Sequence, residues 1–279
     1  MRIIGRTGIA VALALVCFAS TRAQETATRA QETAAVYQGD AAEQFLTKAR
    51  IVKMQSLSVG VTAPKKATLE LNGVTHLAAF KTVDIYTPGL TQLGNGQVEV
   101  DFTDTWKTEI AAYLVDRIIG LELVPATVQR RYDGKDGSMQ WWVESEMEEG
   151  DRLKNRITPP DMNAWNRQQF TMLLFDNLIY NTDRNLGNIL LTKDFEVRLI
   201  DHSRSFRPFG GLKPNNGLTR FSRTLLAGLE KLERQDLQKK TGKYLSGRQI
   251  TFLLQRRDAI LALAKKTVAE KGEAAVLYP

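Results

Sequence analysis

Hydrophobic and polar positions change their period along the chain. From Ile51 to Asp84, short β-rich stretches such as Ala67–Leu71 and Thr75–Phe80 alternate with the turn residues Gly60, Pro64 and Asn72-Gly73, a pattern that predicts a strand-turn-strand meander. From Thr105 to Ile119 the apolar positions Ile110, Tyr113, Leu114, Ile118 and Ile119 fall at helical spacing and stop at Gly120, which predicts one helix. Two more strands are expected at Ala126–Arg131 and Gln140–Glu144, across the turn-rich Asp133–Ser138. Pro159-Pro160-Asp161 then marks the start of a helix over Met162–Tyr180, apolar nearly all round in its second half and therefore buried. Ile189–Leu191 and Val197–Ile200 read as a short hairpin, and Ile250, Leu253, Leu254, Ile260, Leu261 and Ala264 repeat at helical spacing after it.

The order β-β-β-α-β-β followed by a mainly helical half predicts an α+β, two-lobed, protein-kinase-like fold. It has a small β-rich N-lobe with one helix over residues 45–145 and a larger, mainly helical C-lobe over 146–279, with a nucleotide expected between them. Upstream, Arg2 and Arg6 precede the apolar run Ile9–Ala19 and the segment Ser20–Ala23, a signal-peptide pattern over residues 1–23. The run is shorter than the roughly 20 apolar residues a membrane span needs, which favours cleavage and export over an uncleaved signal anchor. TRAQETA occurs at residues 21–27 and again at 28–34, and residues 24–44 read as a flexible leader.

Composition changes this picture little. With 279 residues, 43% hydrophobic and 25% charged, the chain suits an ordinary globular protein. Its formal charge of +7 falls to +4 once Arg2, Arg6 and Arg22 leave with the signal, too mild an excess to argue for nucleic acid. The one cysteine, Cys17, lies in the signal, so the processed chain carries no disulfide. His76 and His202 are the two histidines, too few for a zinc site or a Ser-His-Asp arrangement.

The candidate chemistry is in the polar turn Tyr180–Asn188, directly after the buried helix. Phosphoryl transfer needs a carboxylate to orient the attacking hydroxyl and oxygen ligands to hold a divalent ion against the phosphates. Asp183 and Asn188 are separated by four residues, the spacing of the catalytic Asp and metal-binding Asn in a kinase catalytic loop. Asp201 follows the apolar strand Val197–Ile200 and supplies the second metal ligand; Mg²⁺ usually takes only one or two carboxylates besides phosphate oxygens. In the small lobe, Lys81 ends the third strand as the phosphate-contacting lysine. Glu109 is its expected partner, and Asp116, two turns further along, is the alternative. Ser58–Lys66 holds a single glycine and fails the G-x-G-x-x-G pattern; Lys65 and Lys66 at that turn are candidate phosphate contacts in its place.

At these residues the chain resembles the atypical secretory-pathway kinases of the family-with-sequence-similarity-20 group, Golgi casein kinase-like, and their bacterial relatives. More distantly it resembles the Hip-type and phosphatidylinositol kinases. The resemblance rests on Asn181–Asn188 and Leu199–Phe206, with support around Gly73–Lys81 and Glu109–Pro125. It implies Asp183 as catalytic base, Asn188 and Asp201 as metal ligands, Lys81 as phosphate contact with Glu109 as its partner, and ATP with Mg²⁺ or Mn²⁺. Asp-His-Ser stands where ordinary protein kinases carry Asp-Phe-Gly. The function expected is an exported, periplasmic or secreted, ATP-dependent phosphotransferase acting on a hydroxyl of a protein, glycan or lipid. The alternatives are a pseudokinase scaffold that binds nucleotide or a partner, and a protein of lipid surfaces suggested by Lys239-Lys240 and Arg256-Arg257.

Overall fold

A computed structural model describes residues 38–57, 64–94, 96 and 98–279. The expected signal peptide, most of the expected leader, and residues 58–63 of the turn without the glycine pattern lie outside these residues.

The small lobe is built on a five-stranded antiparallel sheet of β1 (Arg50–Ser56), β2 (Lys65–Leu71), β3 (Val74–Lys81), β6 (Thr127–Tyr132) and β7 (Lys135–Trp141), in the order β1-β2-β3-β7-β6. Two of its hairpins close through two-residue turns that need positive φ at both positions, and the sequence supplies Asn72-Gly73 (φ 53° and 80°) and Asp133-Gly134 (φ 50° and 72°). The second turn is shorter than expected. Strand β7 begins at Lys135, inside the polar stretch read as a turn, and ends at Trp141 rather than Glu144. The apparent breaker Gly137 belongs to the strand because a Cβ there would run into the Lys81 carbonyl oxygen and the Phe80 ring on β3. β7 thus carries a glycine where it passes the end of β3, and Lys81 depends on it.

Ala67, Leu69, Ala78, Phe80, Met139 and Trp141 are buried in the small-lobe core. The helix α1 (Asp40–Lys48) adds Ala42, Phe45 and Leu46, with Phe45 edge-on to Trp141 at 5.5 Å. The leader expected to reach residue 44 therefore gives way to structure at Asp40. Polar Asp40 and Glu43 disguised an amphipathic helix that ties Glu43 to Tyr113 Oη (2.7 Å) and Arg117 (3.0 Å).

Helix α2 (Trp106–Ile119) lies where its periodicity placed it. Thr105 caps it by accepting from Lys107 N–H, and Gly120 at φ 69° ends it. Between β3 and α2 an unexpected hairpin is inserted, β4 (Asp84–Gln92) with β5 (Val98–Thr105). Ile85, Tyr86, Leu90, Val98 and Val100 are exposed on it. Pro88 and Gly89 hid it from pattern reading, and a register shift between Thr87 and Leu90 breaks its alternation.

In the larger lobe, β8 (Met147–Glu148) and helix α3 (Glu149–Lys154) precede α4 (Met162–Leu178), which Asp161 caps by accepting from the Asn163 and Ala164 N–H groups. Phe175 and Leu178 are fully buried. Strands β9 (Ile189–Leu191) and β10 (Val197–Leu199) form the expected hairpin, with β8 as a third strand. The lobe is completed by β11 (Phe221–Ser222), α5 (Arg223–Glu230), α6 (Arg234–Thr241), α7 (Gly247–Lys271), α8 (Glu273–Val276) and β12 (Leu277–Tyr278). Arg256 on α7 is fully buried and donates to the carbonyls of Leu178, Arg207 and Phe209, so it is not a lipid-facing charge. Among the described residues no helix is long and apolar enough to cross a membrane.

Candidate active site

The catalytic-loop candidate starts where α4 stops. Tyr180 takes φ 49° and turns the chain. Asn181, buried, donates from Nδ2 to Asp176 (3.1 Å) and accepts the Asp183 N–H at Oδ1 (3.0 Å). Asn188 Nδ2 donates to the Asp183 carbonyl at 3.1 Å. The four-residue spacing thus closes a turn in which the Asn188 amide packs against the backbone of Asp183. The Asp183 side chain remains 42% exposed, with Arg204 Nη1 3.4 Å from its Oδ2.

From the small lobe, β3 delivers Lys81 and the first turn of α2 delivers Glu109. Lys81 Nζ donates to Glu109 Oε1 at 2.6 Å and to Asp201 Oδ1 at 2.9 Å. Glu109 is buried and its second oxygen accepts the His202 N–H at 3.0 Å. Asp201 sits at φ 58°, a backbone conformation uncommon outside glycine, just beyond β10. Burial alone would pull the Lys81 ammonium down, but Glu109 and Asp201 outweigh it and its pKa is raised. Burial would push the Asp201 carboxyl up, yet the Lys81 ammonium holds it below the usual range. Lys81 is therefore protonated and Asp201 ionised.

Sequence reasoning missed the residue that ties these parts together. Arg184 forms two hydrogen bonds with Asp176 (3.0 and 3.1 Å), and donates to the carbonyls of Asn188 (3.0 Å) and Ile200 (2.8 Å) and to His202 Nε2 (2.8 Å). One guanidinium thereby fixes the backbone at both metal-ligand candidates. Burial, then Arg184 and Lys81, drive the His202 pKa well below its ordinary value. The neutral ring accepts at Nε2, so its proton is assigned to Nδ1, 3.9 Å from Glu109. Arg184 was legible only as a letter between Asp183 and Asn188, and Asp176 only as one polar residue in an apolar helix.

The other candidates separate. Asp116 is not a partner of Lys81. It is buried at the far end of α2, where it accepts from Leu123 N–H (2.9 Å), Val124 N–H (3.0 Å) and Gln38 Nε2 (3.0 Å), and burial raises its pKa to about 6. Lys65 pairs with Phe80 and Lys66 with Ala79, so strand alternation puts Lys66 on the Lys81 face of the sheet and Lys65 on the opposite one. Lys65 is thereby turned away from Lys81, and Lys66 rests over the Trp142 ring at 4.3 Å.

The donor set suits a hard divalent ion. Asp201 commits Oδ1 to Lys81 and Ser203, and Asn188 commits Nδ2 to Asp183, which leaves one carboxylate oxygen and one amide oxygen for a cation. Among the described residues no trio of His, Cys, Asp or Glu gathers into a metal cage. Two protein oxygens fit a Mg²⁺ ion that brings phosphate and water oxygens of its own. A separate cavity of about 320 Å³, lined by Tyr86, Thr105, Phe206, Tyr244 and Phe252 among others, contains none of Lys81, Asp183, Asn188 and Asp201.

Solved structures that share this architecture include two kinases. The Golgi casein kinase superposes with a TM-score of 0.60 at 15% identity, over 85% of this chain and 77% of that one. The Helicobacter pylori proinflammatory kinase CtkA superposes with a TM-score of 0.53 at 12% identity, over 81% of this chain and 98% of that one. No protein-family model matches the sequence, and no curated protein matches it. The chain has a two-lobed, kinase-like α+β fold.

Proposed function

We propose that the protein is a metal-dependent kinase that transfers the γ-phosphoryl group of ATP to a hydroxyl of a protein, glycan or lipid. The observation that carries this reading is Lys81, held between Glu109 and Asp201, above a loop in which Asn188 is hydrogen-bonded to Asp183. Asp183 accepts the proton of the acceptor hydroxyl as its oxygen bonds to the γ-phosphorus. The bond from that phosphorus to the β,γ-bridging oxygen breaks, and ADP leaves with the electron pair. Lys81 orients the phosphates, while Asn188 and Asp201 hold Mg²⁺ or Mn²⁺, which when bound neutralises charge on the phosphate oxygens. What supports an enzyme over a scaffold is that none of the four polar groups is missing or turned away. Residues 1–23 support export to the periplasm or beyond.

The test incubates the protein with γ-labelled ATP and Mg²⁺ or Mn²⁺, with and without an extract of exported proteins and glycans. Wild type is expected to transfer label. Asp183→Ala should lower transfer by about 10²–10⁴-fold with nucleotide binding retained, and Asp201→Ala should abolish the metal dependence of that binding. Absence of metal-dependent nucleotide binding by wild type would sink the kinase reading.

A further inference from the structure

We propose that Arg204 is a further catalytic residue, the cation that meets the phosphoryl group in flight, and that the inserted β4–β5 hairpin is the device that aims it. The inference rests on the kinase reading above.

Arg204 lies three residues past Asp201, and its backbone is tied to the catalytic loop: Thr182 donates to its carbonyl from both N–H (3.3 Å) and Oγ1 (3.1 Å). Its guanidinium is gripped by the hairpin. Nη2 is ion-paired with Glu99 on β5, and the group lies 5.3 Å from the Phe102 ring centre on the same strand. Glu99 in turn is held by Arg207, 3.2 Å away and fully buried, which also donates to the Val100 carbonyl. The other terminal nitrogen of Arg204 reaches the catalytic-loop candidate: Nη1 is 3.4 Å from Asp183 Oδ2.

The attacking oxygen and the phosphorus must come within a few ångströms of Asp183, so a cation in contact with that carboxylate is also in reach of the transferred group. A guanidinium is permanently charged and planar, and it matches two phosphoryl oxygens. As the β,γ bond loosens, negative charge builds on those oxygens and an arginine there is worth more than in the ground state. Two guanidiniums share the single carboxylate of Glu99, so positive charge is left beside Asp183 when Asp183 engages the acceptor hydroxyl. A merely inhibitory Arg204–Asp183 pair makes the opposite prediction, because its removal would free Asp183.

The full chain is assayed for ADP release from Mg·ATP, and for binding of Mg·ATP and of ADP with aluminium fluoride, which mimics the phosphoryl group in transfer. Arg204→Ala should leave the ATP dissociation constant within about threefold and lower kcat by about 10³-fold or more. It should weaken the aluminium fluoride complex by a comparable factor. Millimolar guanidinium chloride should restore part of the rate to Arg204→Ala but none to Asp183→Ala. Glu99→Gln, which leaves Arg204 in place but unaimed, should fall between wild type and Arg204→Ala in kcat with ATP affinity unchanged; thermal unfolding confirms that each variant is folded. Unchanged or faster ADP release by Arg204→Ala, with wild type active, overturns the role of Arg204 and leaves the kinase reading intact. No ADP release and no metal-dependent nucleotide binding by wild type overturns both.

Discussion

Lys81 donates to Glu109 and Asp201 at once, so the cleft holds one cation against two carboxylates before any ligand arrives. Sharing one ammonium makes the three side chains depend on one another. Lys81→Met leaves Glu109 an unpaired buried carboxylate, at a cost of about 3–5 kcal/mol. Adding Glu109→Gln should recover much of that loss, as urea unfolding of the single and double variants would reveal; equal stabilities would mean the pair is not coupled. Asp116 makes stability depend on pH. Its folded pKa of about 6 lies above the unfolded value, so the native state binds the extra proton and stability rises as pH falls from 7 toward 5. Asp116→Asn should flatten that rise, and an unchanged slope of urea midpoint against pH would show that another group is responsible. Asp201 has the reverse sign, since its depressed pKa contributes stability at neutral pH that is lost as acid protonates it.

Elements differ in how openly they announce themselves. Helix α2 and the β9–β10 hairpin were readable because their signals are local: a helical period closed by Gly120, and two short strand-forming runs around a polar turn. The turn from Asp183 to Asn188 was readable for the same reason, since the two residues meet within one turn. Helix α1 was not, because its apolar face is only Ala42, Phe45 and Leu46 in a polar setting that follows a repetitive leader. The β4–β5 hairpin was hidden by Pro88 and its irregular register, and with it went Glu99, whose partner Arg204 lies 105 positions along the chain. No spacing rule reaches that far. Strand β7 was misjudged at Gly137, where glycine reads as a turn but serves close passage of β3. Gly137→Ala should therefore push the end of β3 aside, costing about 1–3 kcal/mol of stability and weakening nucleotide binding through Lys81. Titration of the variant with Mg·ATP checks this, and full affinity would show that the strands part without moving the lysine.

At the scale of the molecule, the two lobes are joined by more than the connection after β7. Ser203 O receives the Thr105 N–H (3.0 Å) and Thr108 Oγ1 (2.8 Å), the Leu199 N–H donates to Leu123 O at 2.8 Å, and the hairpin reaches Arg204 and Arg207. The start of α2 is therefore pinned to the segment after Asp201, while its far end is pinned to the beginning of the described chain. There Gln38 bonds Asp116, and Asp40 and Glu43 pair with Arg117. The helix that carries Glu109 is thus braced at both ends, and loosening either brace would tilt the grip that Glu109 and Asp201 share on Lys81.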